Sequence, residues 1–146
     1  MKGKLLSVLF AVLLLTVVFS GCQDKTKDIQ DCGTKIQAYI EYVYQNNWTQ
    51  KITMDIETKT CNSYGNSNSQ VLEPGENLTG SEIRNVWSSG GLEINVTIHY
   101  SSFTESENYT WMPSYDGERV KFLIYADENG KIKIEETTPS DKHPLE

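Results

Sequence analysis

The sequence predicts an α+β domain over residues 28–137, with one N-terminal amphipathic helix packed on a curled antiparallel sheet of four to five strands. Three observations predict it. Apolar residues recur at near-heptad spacing over 28–45, they alternate strictly over 51–60 and 92–103, and Asn129-Gly130 is a two-residue hairpin signal. A helix with one apolar stripe and strands with one polar face close into two layers, because neither apolar surface is stable in water alone.

The helix is carried by Ile29, Cys32, Ile36, Tyr39, Ile40 and Val43 on one stripe. Asp28 caps its start and Asn46-Asn47 ends it, while Gly33 weakens the first part and favours a firm start at Thr34. The strand over 51–60 turns Ile52, Met54 and Ile56 to one face and Lys51, Thr53, Asp55, Glu57 and Lys59 to the other. Cys61 falls on the polar parity, which leaves two readings of a bridge to Cys32. Either the strand ends or bulges before residue 61, or Cys32 belongs to an arm ahead of the helix.

Residues 62–80, rich in Asn, Ser and Gly with Pro74-Gly75 as a turn, read as a loop long enough to be functional or mobile. Residues 81–87 read as one helical turn capped by Ser81 or as a short strand, and 88–91 as a break. Residues 92–103 form the clearest strand, with Leu92, Ile94, Val96, Ile98 and Tyr100 on one face. A turn over 105–108 leads to a short strand over 109–112, stopped by Pro113. After a turn at Asp116-Gly117, residues 119–126 send Val120, Phe122, Ile124 and Ala126 inward. Residues 131–135 return with Ile132 and Ile134 inward, and 138–146 form a frayed tail. This order of elements is similar to cystatin-like or nuclear-transport-factor-like rolls, in which a curled sheet wraps one helix. The Gln-x-Val-x-Gly inhibitor signature of true cystatins is absent, and a fold likeness implies no function.

The chain begins with Lys2 and Lys4, a 15-residue apolar run over 5–19, then Ser20-Gly21-Cys22. A spanning helix needs about 20 apolar residues, so the run suits a secretory segment better than a permanent anchor. Small residues immediately before Cys22 resemble the lipobox of prokaryotic lipoproteins, bacterial or archaeal, with Phe19 where that family usually has Leu or another aliphatic residue. The resemblance covers residues 1–22 only. It implies that residues 1–21 are a signal peptide, that Cys22 takes a diacylglycerol-type lipid, and that residues 22–27 form a short tether. An ordinary secretory signal or an uncleaved N-terminal anchor are the alternatives, and all three export the domain. Five tether residues after Cys22 reach at most about 18 Å, which keeps the body close to the membrane.

The other two cysteines, Cys32 and Cys61, then form an even pair in a compartment that permits a disulfide. A cysteine nucleophile with a histidine partner is the rival, and the only histidines are His99 and His143.

Without residues 1–21, which hold two lysines and no acid, 13 basic and 20 acidic residues become 11 and 20, a formal charge of −9. That balance argues against nucleic acid and against electrostatic docking on an anionic membrane, so membrane attachment rests on the N-terminal lipid.

Four sequons, at Asn47, Asn77, Asn95 and Asn108, are candidate glycosylation sites in turns, at a helix end or on a polar strand face. Asp55, Glu57, Glu93 and His99 share the predicted outer face, where a solvated surface is the plain reading and an acid/base pair or metal site the sharper one. No metal-ligand spacing, phosphate loop, nucleophile elbow or cofactor motif occurs. Tyr109, Trp111, Met112, Tyr115 and Trp87 form an aromatic-rich group that either closes the core or offers a platform for a carbohydrate or protein partner, with Trp111 as its expected contact. The sequence thus predicts an extracytoplasmic, lipid-anchored binding or interaction module on the cell surface or in the periplasm, with no catalytic role and no cofactor. An extracytoplasmic enzyme and a structural envelope protein are the alternatives.

Overall fold

The structure is a computed structural model that describes residues 31–61 and 65–139. The apolar segment, Cys22 and its tether, the first residues assigned to the helix, and the tail from 140 with His143 lie outside the described residues.

The described residues hold eight strands and no helix. They are β1 (Lys35–Asn46), β2 (Ile52–Lys59), β3 (Asn66–Leu72), β4 (Asn77–Trp87), β5 (Leu92–Tyr100), β6 (Phe103–Trp111), β7 (Glu118–Ala126) and β8 (Ile132–Thr137). Two four-stranded sheets, ordered β4-β1-β7-β8 and β3-β2-β5-β6, pack face to face. Neighbours are antiparallel except β1 and β7, which run parallel. The fold is an all-β sandwich, which overturns the expected α+β roll of one helix on a sheet of four to five strands.

The correction turns on residues 35–46. Ile36, Tyr39, Ile40 and Val43 fit a helical stripe, but Ala38, Ile40, Tyr42 and Tyr44 fit an alternation equally well, and the latter set is the buried one. Ile, Val and Tyr dominate the segment, and β-branched and aromatic side chains pack well on a pleated surface. β1 lies between β4 and β7, so both its backbone edges are paired. The presumed loop over 62–80 contains β3, a turn at Pro74-Gly75 and the start of β4. The turn expected over 105–108 is interior to β6, and the chain reverses instead at Ser101-Ser102, with Ser101 at a positive φ of 49°.

The core is made by the central strands. Ile52, Met54 and Ile56 from β2, Leu92, Ile94, Val96 and Ile98 from β5, and Val120, Phe122, Ile124 and Ala126 from β7 are all buried. The four edge strands differ. On their inward parity stand Asn66, Asn68 and Gln70 of β3, Glu82 and Arg84 of β4, Glu105 and Glu107 of β6, and Glu136 of β8. Both open sides of the sandwich are thus lined with polar groups, and inward charges on edge strands discourage pairing with a stranger's strand.

Cys32 and Cys61 are joined by a disulfide with a Cα–Cα distance of 5.6 Å. The open choice is resolved: Cys32 belongs to the arm ahead of β1, and β2 ends at Lys59 before Cys61.

Asn46, read as a helix terminator, is instead a fully buried latch. Its Nδ2 donates to the carbonyls of Gln50 at 2.7 Å and Leu72 at 3.1 Å, and its Oδ1 accepts from the Trp48 N–H at 3.0 Å. Asn46→Ala leaves the Leu72 carbonyl unsatisfied in the interior, and the Gln50 carbonyl and Trp48 N–H unsatisfied where water reaches only in part. We expect a loss of about 2 kcal/mol, checked by denaturant unfolding, since each orphaned buried polar group costs about 1–3 kcal/mol before relaxation.

Candidate functional site

β3 and β4 are edge strands of opposite sheets, and between them the sandwich opens into a groove of about 330 Å³. Its floor is Tyr42 and Tyr44, two residues apart on β1 and therefore on the same face. Their rings lie parallel, with centroids 5.9 Å apart and an interplanar angle of 8°. The β3 wall is Asn66, Asn68 and Gln70; the β4 wall is Leu78, Gly80 and Glu82. Gly80 stands opposite Tyr42 in the register, and a Cβ built on it meets nothing within 4 Å.

The polar groups of this groove hold one another. Glu82 accepts from the Tyr42 hydroxyl at 2.7 Å through Oε1 and from Asn66 Nδ2 at 3.2 Å through Oε2. Arg84 lies 3.5 Å from Glu82 Oε1 and donates to the carbonyl of Thr58 at 3.1 Å and to its hydroxyl. The Arg84 side chain is only 10% exposed and that of Glu82 23%, so the ion pair is largely desolvated and its partners are needed to hold it. Because Glu82, Arg84 and Thr58 come from both sheets, the network also ties the layers together across their open side.

Burial, then the Glu82 charge and its hydrogen bond, raise the Tyr42 hydroxyl far above its ordinary value. Burial first and Glu82 second push Tyr44 up to about 12, against an Asn68 amide that donates to its oxygen. Tyr109, inward on β6, is also raised to about 12, first by donating to Glu136 across the opposite open side and then by burial. In each case the folded chain holds the proton more tightly than the unfolded chain. This stabilisation is complete below pH 10 and is lost as pH rises through the folded value, about 12 for Tyr44 and Tyr109 and higher for Tyr42. For Tyr44 alone, two pKa units correspond to about 3 kcal/mol. We expect alkaline unfolding between pH 10 and 12, with the last tyrosines ionising in step with it; ionisation of all the tyrosines near pH 10 in the folded protein would contradict this placement of the rings.

The aromatic group read from the sequence does not form one platform. Trp111 is 5% exposed and stands edge-on to Phe122 at 5.9 Å, inside the core, so it offers no face to a ligand. Tyr109 meets the same ring edge-on at 5.9 Å. Trp87 is half-buried at the end of β4, while Met112 and Tyr115 are exposed, Tyr115 at 63%.

The outer face of the β3-β2-β5-β6 sheet carries Asp55, Glu57, Glu93 and His99 as expected. Asp55 accepts from Ser69 at 2.6 Å and contacts His99 Nε2 at 2.8 Å. Ser69 first, and then His99, hold the Asp55 carboxyl below the usual carboxylate range against some desolvation. The carboxylate stands between hydroxyl and imidazole, so the ring does not touch the hydroxyl as nucleophile activation requires. Glu93 pairs instead with Lys59 at 3.0 Å. Among the described residues no group of three or more His, Cys, Asp or Glu is arranged to hold a metal ion.

Of the sequon asparagines, Asn47, Asn77 and Asn108 are exposed and Asn95 is half-buried. Asn95 and Asn108 are cross-strand partners on this outer face, with Asn108 Nδ2 donating to Asn95 Oδ1.

Sequence reasoning missed the groove. Asn66, Asn68 and Gln70 alternate with Ser67, Ser69 and Val71, which leaves almost no apolar period to detect. The available signal was Tyr42 and Tyr44 at strand spacing, hidden by the helical reading.

No family model and no curated protein matches the chain. Among solved structures it is similar to the NMR structure of a protein from Eubacterium rectale, at 15% identity and a TM-score of 0.36, over 77% of this chain and 98% of that one. It is also similar to a candidate cell adhesion protein from Bacteroides ovatus, at 11% identity and a TM-score of 0.38, over 71% of this chain and 44% of that one. The functional reading rests on the chain's own residues.

Proposed function

We propose that the protein is an extracytoplasmic, lipid-anchored binding module whose ligand site is the groove between β3 and β4. The observation that carries the binding role is the groove itself, in which side chains from both sheets are fixed by mutual hydrogen bonds around an unfilled space at Gly80. Fixed polar groups beside open volume favour ligand binding, since little ordering remains to be done when a ligand arrives. Glu82, the groove's carboxylate, has both oxygens engaged, which suits holding better than proton transfer. The anchor rests on Cys22 and the apolar run before it, and on a body whose acidic charge offers no attraction to anionic lipid. On this reading Asn47, Asn77, Asn95 and Asn108 all stand where a glycan could reach solvent.

Two measurements test the reading. The intact mass of native protein should show a lipid on an N-terminal Cys22, lost in Cys22→Ser, together with any glycan; a bare mass would remove both anchor and glycans. Gly80→Leu should place a side chain in the groove and abolish ligand-dependent thermal stabilisation while the unliganded protein melts as before. A ligand at 100 times its Kd adds about 2.7 kcal/mol, which a melting curve resolves readily. Equal stabilisation of both proteins would move the site away from the groove.

A further inference from the structure

We infer that the β3–β4 groove takes a neutral oligosaccharide segment, an inference that rests on the groove being the binding site. Charge supplies the first argument. The ionised side chain lining the groove is Glu82, and Arg84 behind it compensates that charge at 3.5 Å, while Tyr42 and Asn66 occupy its oxygens. Among the described residues no uncompensated cation lines the groove to receive an anionic ligand, and the net charge, −9 without residues 1–21, repels one. A cationic ligand would have to compete with Arg84 for a carboxylate already held.

The second argument is hydrogen-bond chemistry. Gln70 Nε2 donates to Asn68 Oδ1 at 2.9 Å and Asn68 donates to Tyr44, which leaves each carboxamide one further N–H to donate and lone pairs to accept with. Sugar hydroxyls likewise donate and accept, so a row of amides along an edge strand matches a row of hydroxyls. Between these amides Tyr42 and Tyr44, each 6% exposed, reach the groove only by their edges, and the half-buried Leu78 supplies the more accessible apolar contact for the C–H groups of a pyranose. A volume of about 330 Å³ is at the lower end of small-molecule sites, which run from roughly 300 to 1,000 Å³. The opening between two sheet edges lets a longer chain continue out of it.

A peptide fits less well. An extended peptide docks on a sheet edge through backbone hydrogen bonds and seats alternate side chains in pockets. Here the groove is lined by inward side-chain amides rather than by the backbone edges that β3 and β4 leave unpaired, so the strand-addition mode does not use its recognition groups.

The test uses the native protein and its Gly80→Leu, Asn68→Ala and Gln70→Ala variants, each first shown to melt like the parent. Calorimetric titrations compare neutral oligosaccharides of glucose, galactose and mannose with uronic-acid oligosaccharides and with uncharged extended peptides. The expected result is that at least one neutral series binds, that Asn68→Ala or Gln70→Ala weakens it tenfold or more, and that Gly80→Leu removes it. Neutral binding unchanged by all three variants overturns the inference. Uronic acids or peptides binding in a Gly80-sensitive way, with neutral sugars silent, overturn it while leaving the groove as the binding site. If none of the three panels binds in a Gly80-sensitive way, the inference falls, and the groove loses its support as well.

Discussion

Phe122→Ala should cost about 3–5 kcal/mol, the range for truncating a buried aromatic that leaves a cavity. Phe122 is fully buried at the centre of β7, and three rings converge on it. Tyr42 lies against it at 6.0 Å from the neighbouring strand of its own sheet, and Tyr109 and Trp111 meet it edge-on at 5.9 Å from the opposite sheet. The residue is therefore the aromatic joint between the two layers, and its removal takes contacts from both. Small domains have only about 5–15 kcal/mol in total, so a large share of the stability goes at once. At roughly 4 °C per kcal/mol for a domain of this size, the melting temperature should fall by about 12–20 °C. Phe122→Leu, which keeps most of the volume, should cost less than about 1.5 kcal/mol if the gap is refilled. A Phe122→Ala loss below 1 kcal/mol would mean that the three rings do not depend on the joint.

What the sequence reveals of this fold follows from where water reaches. β2, β5 and β7 are central strands with a dry inner face, so Ile52 to Ile56, Leu92 to Ile98 and Val120 to Ala126 alternate cleanly and are legible as strands. β1 is also central, but Tyr39 and Val43 make its outer face partly apolar, and a segment apolar on both faces fits a period of 3.6 as well as a period of 2. Its β-branched and aromatic composition was the evidence that separates the two. β3, β4 and most of β6 border the open sides, where most inward positions between the strand ends stay polar, and such strands carry little hydrophobic signal. The groove is built from those strands. Its amides at Asn66, Asn68 and Gln70 have loop composition, and Glu82 and Arg84 lie in a segment that reads equally as one helical turn or a short strand. Trp111 is the converse case, an aromatic conspicuous in sequence for which, of the two readings, closing the core is the one the fold adopts.

Removing the disulfide should cost about 3–4 kcal/mol on the loop-entropy model, second only to the loss of Phe122. Cys32 and Cys61 are 29 residues apart, and the loop between them contains β1 and β2, one strand from each sheet. Closing that loop in the unfolded chain removes conformations in which the two layers start far apart. The native arm would keep other ties without it: the Ser88 N–H donates to the Thr34 carbonyl at 2.8 Å, the Ser89 N–H to the Cys32 carbonyl at 3.1 Å, and the Thr34 N–H to Ser88 Oγ at 2.8 Å. Cys32→Ser with Cys61→Ser should therefore lower the melting temperature of the whole domain by about 12–16 °C, at the same 4 °C per kcal/mol, without fraying the arm first. Hydrogen exchange separates the two possibilities. If the bridge acts through the unfolded state, protection falls uniformly across both sheets. If it acts by holding the arm in place, protection falls at Thr34, Ser88 and Ser89 while β5 and β7 keep theirs.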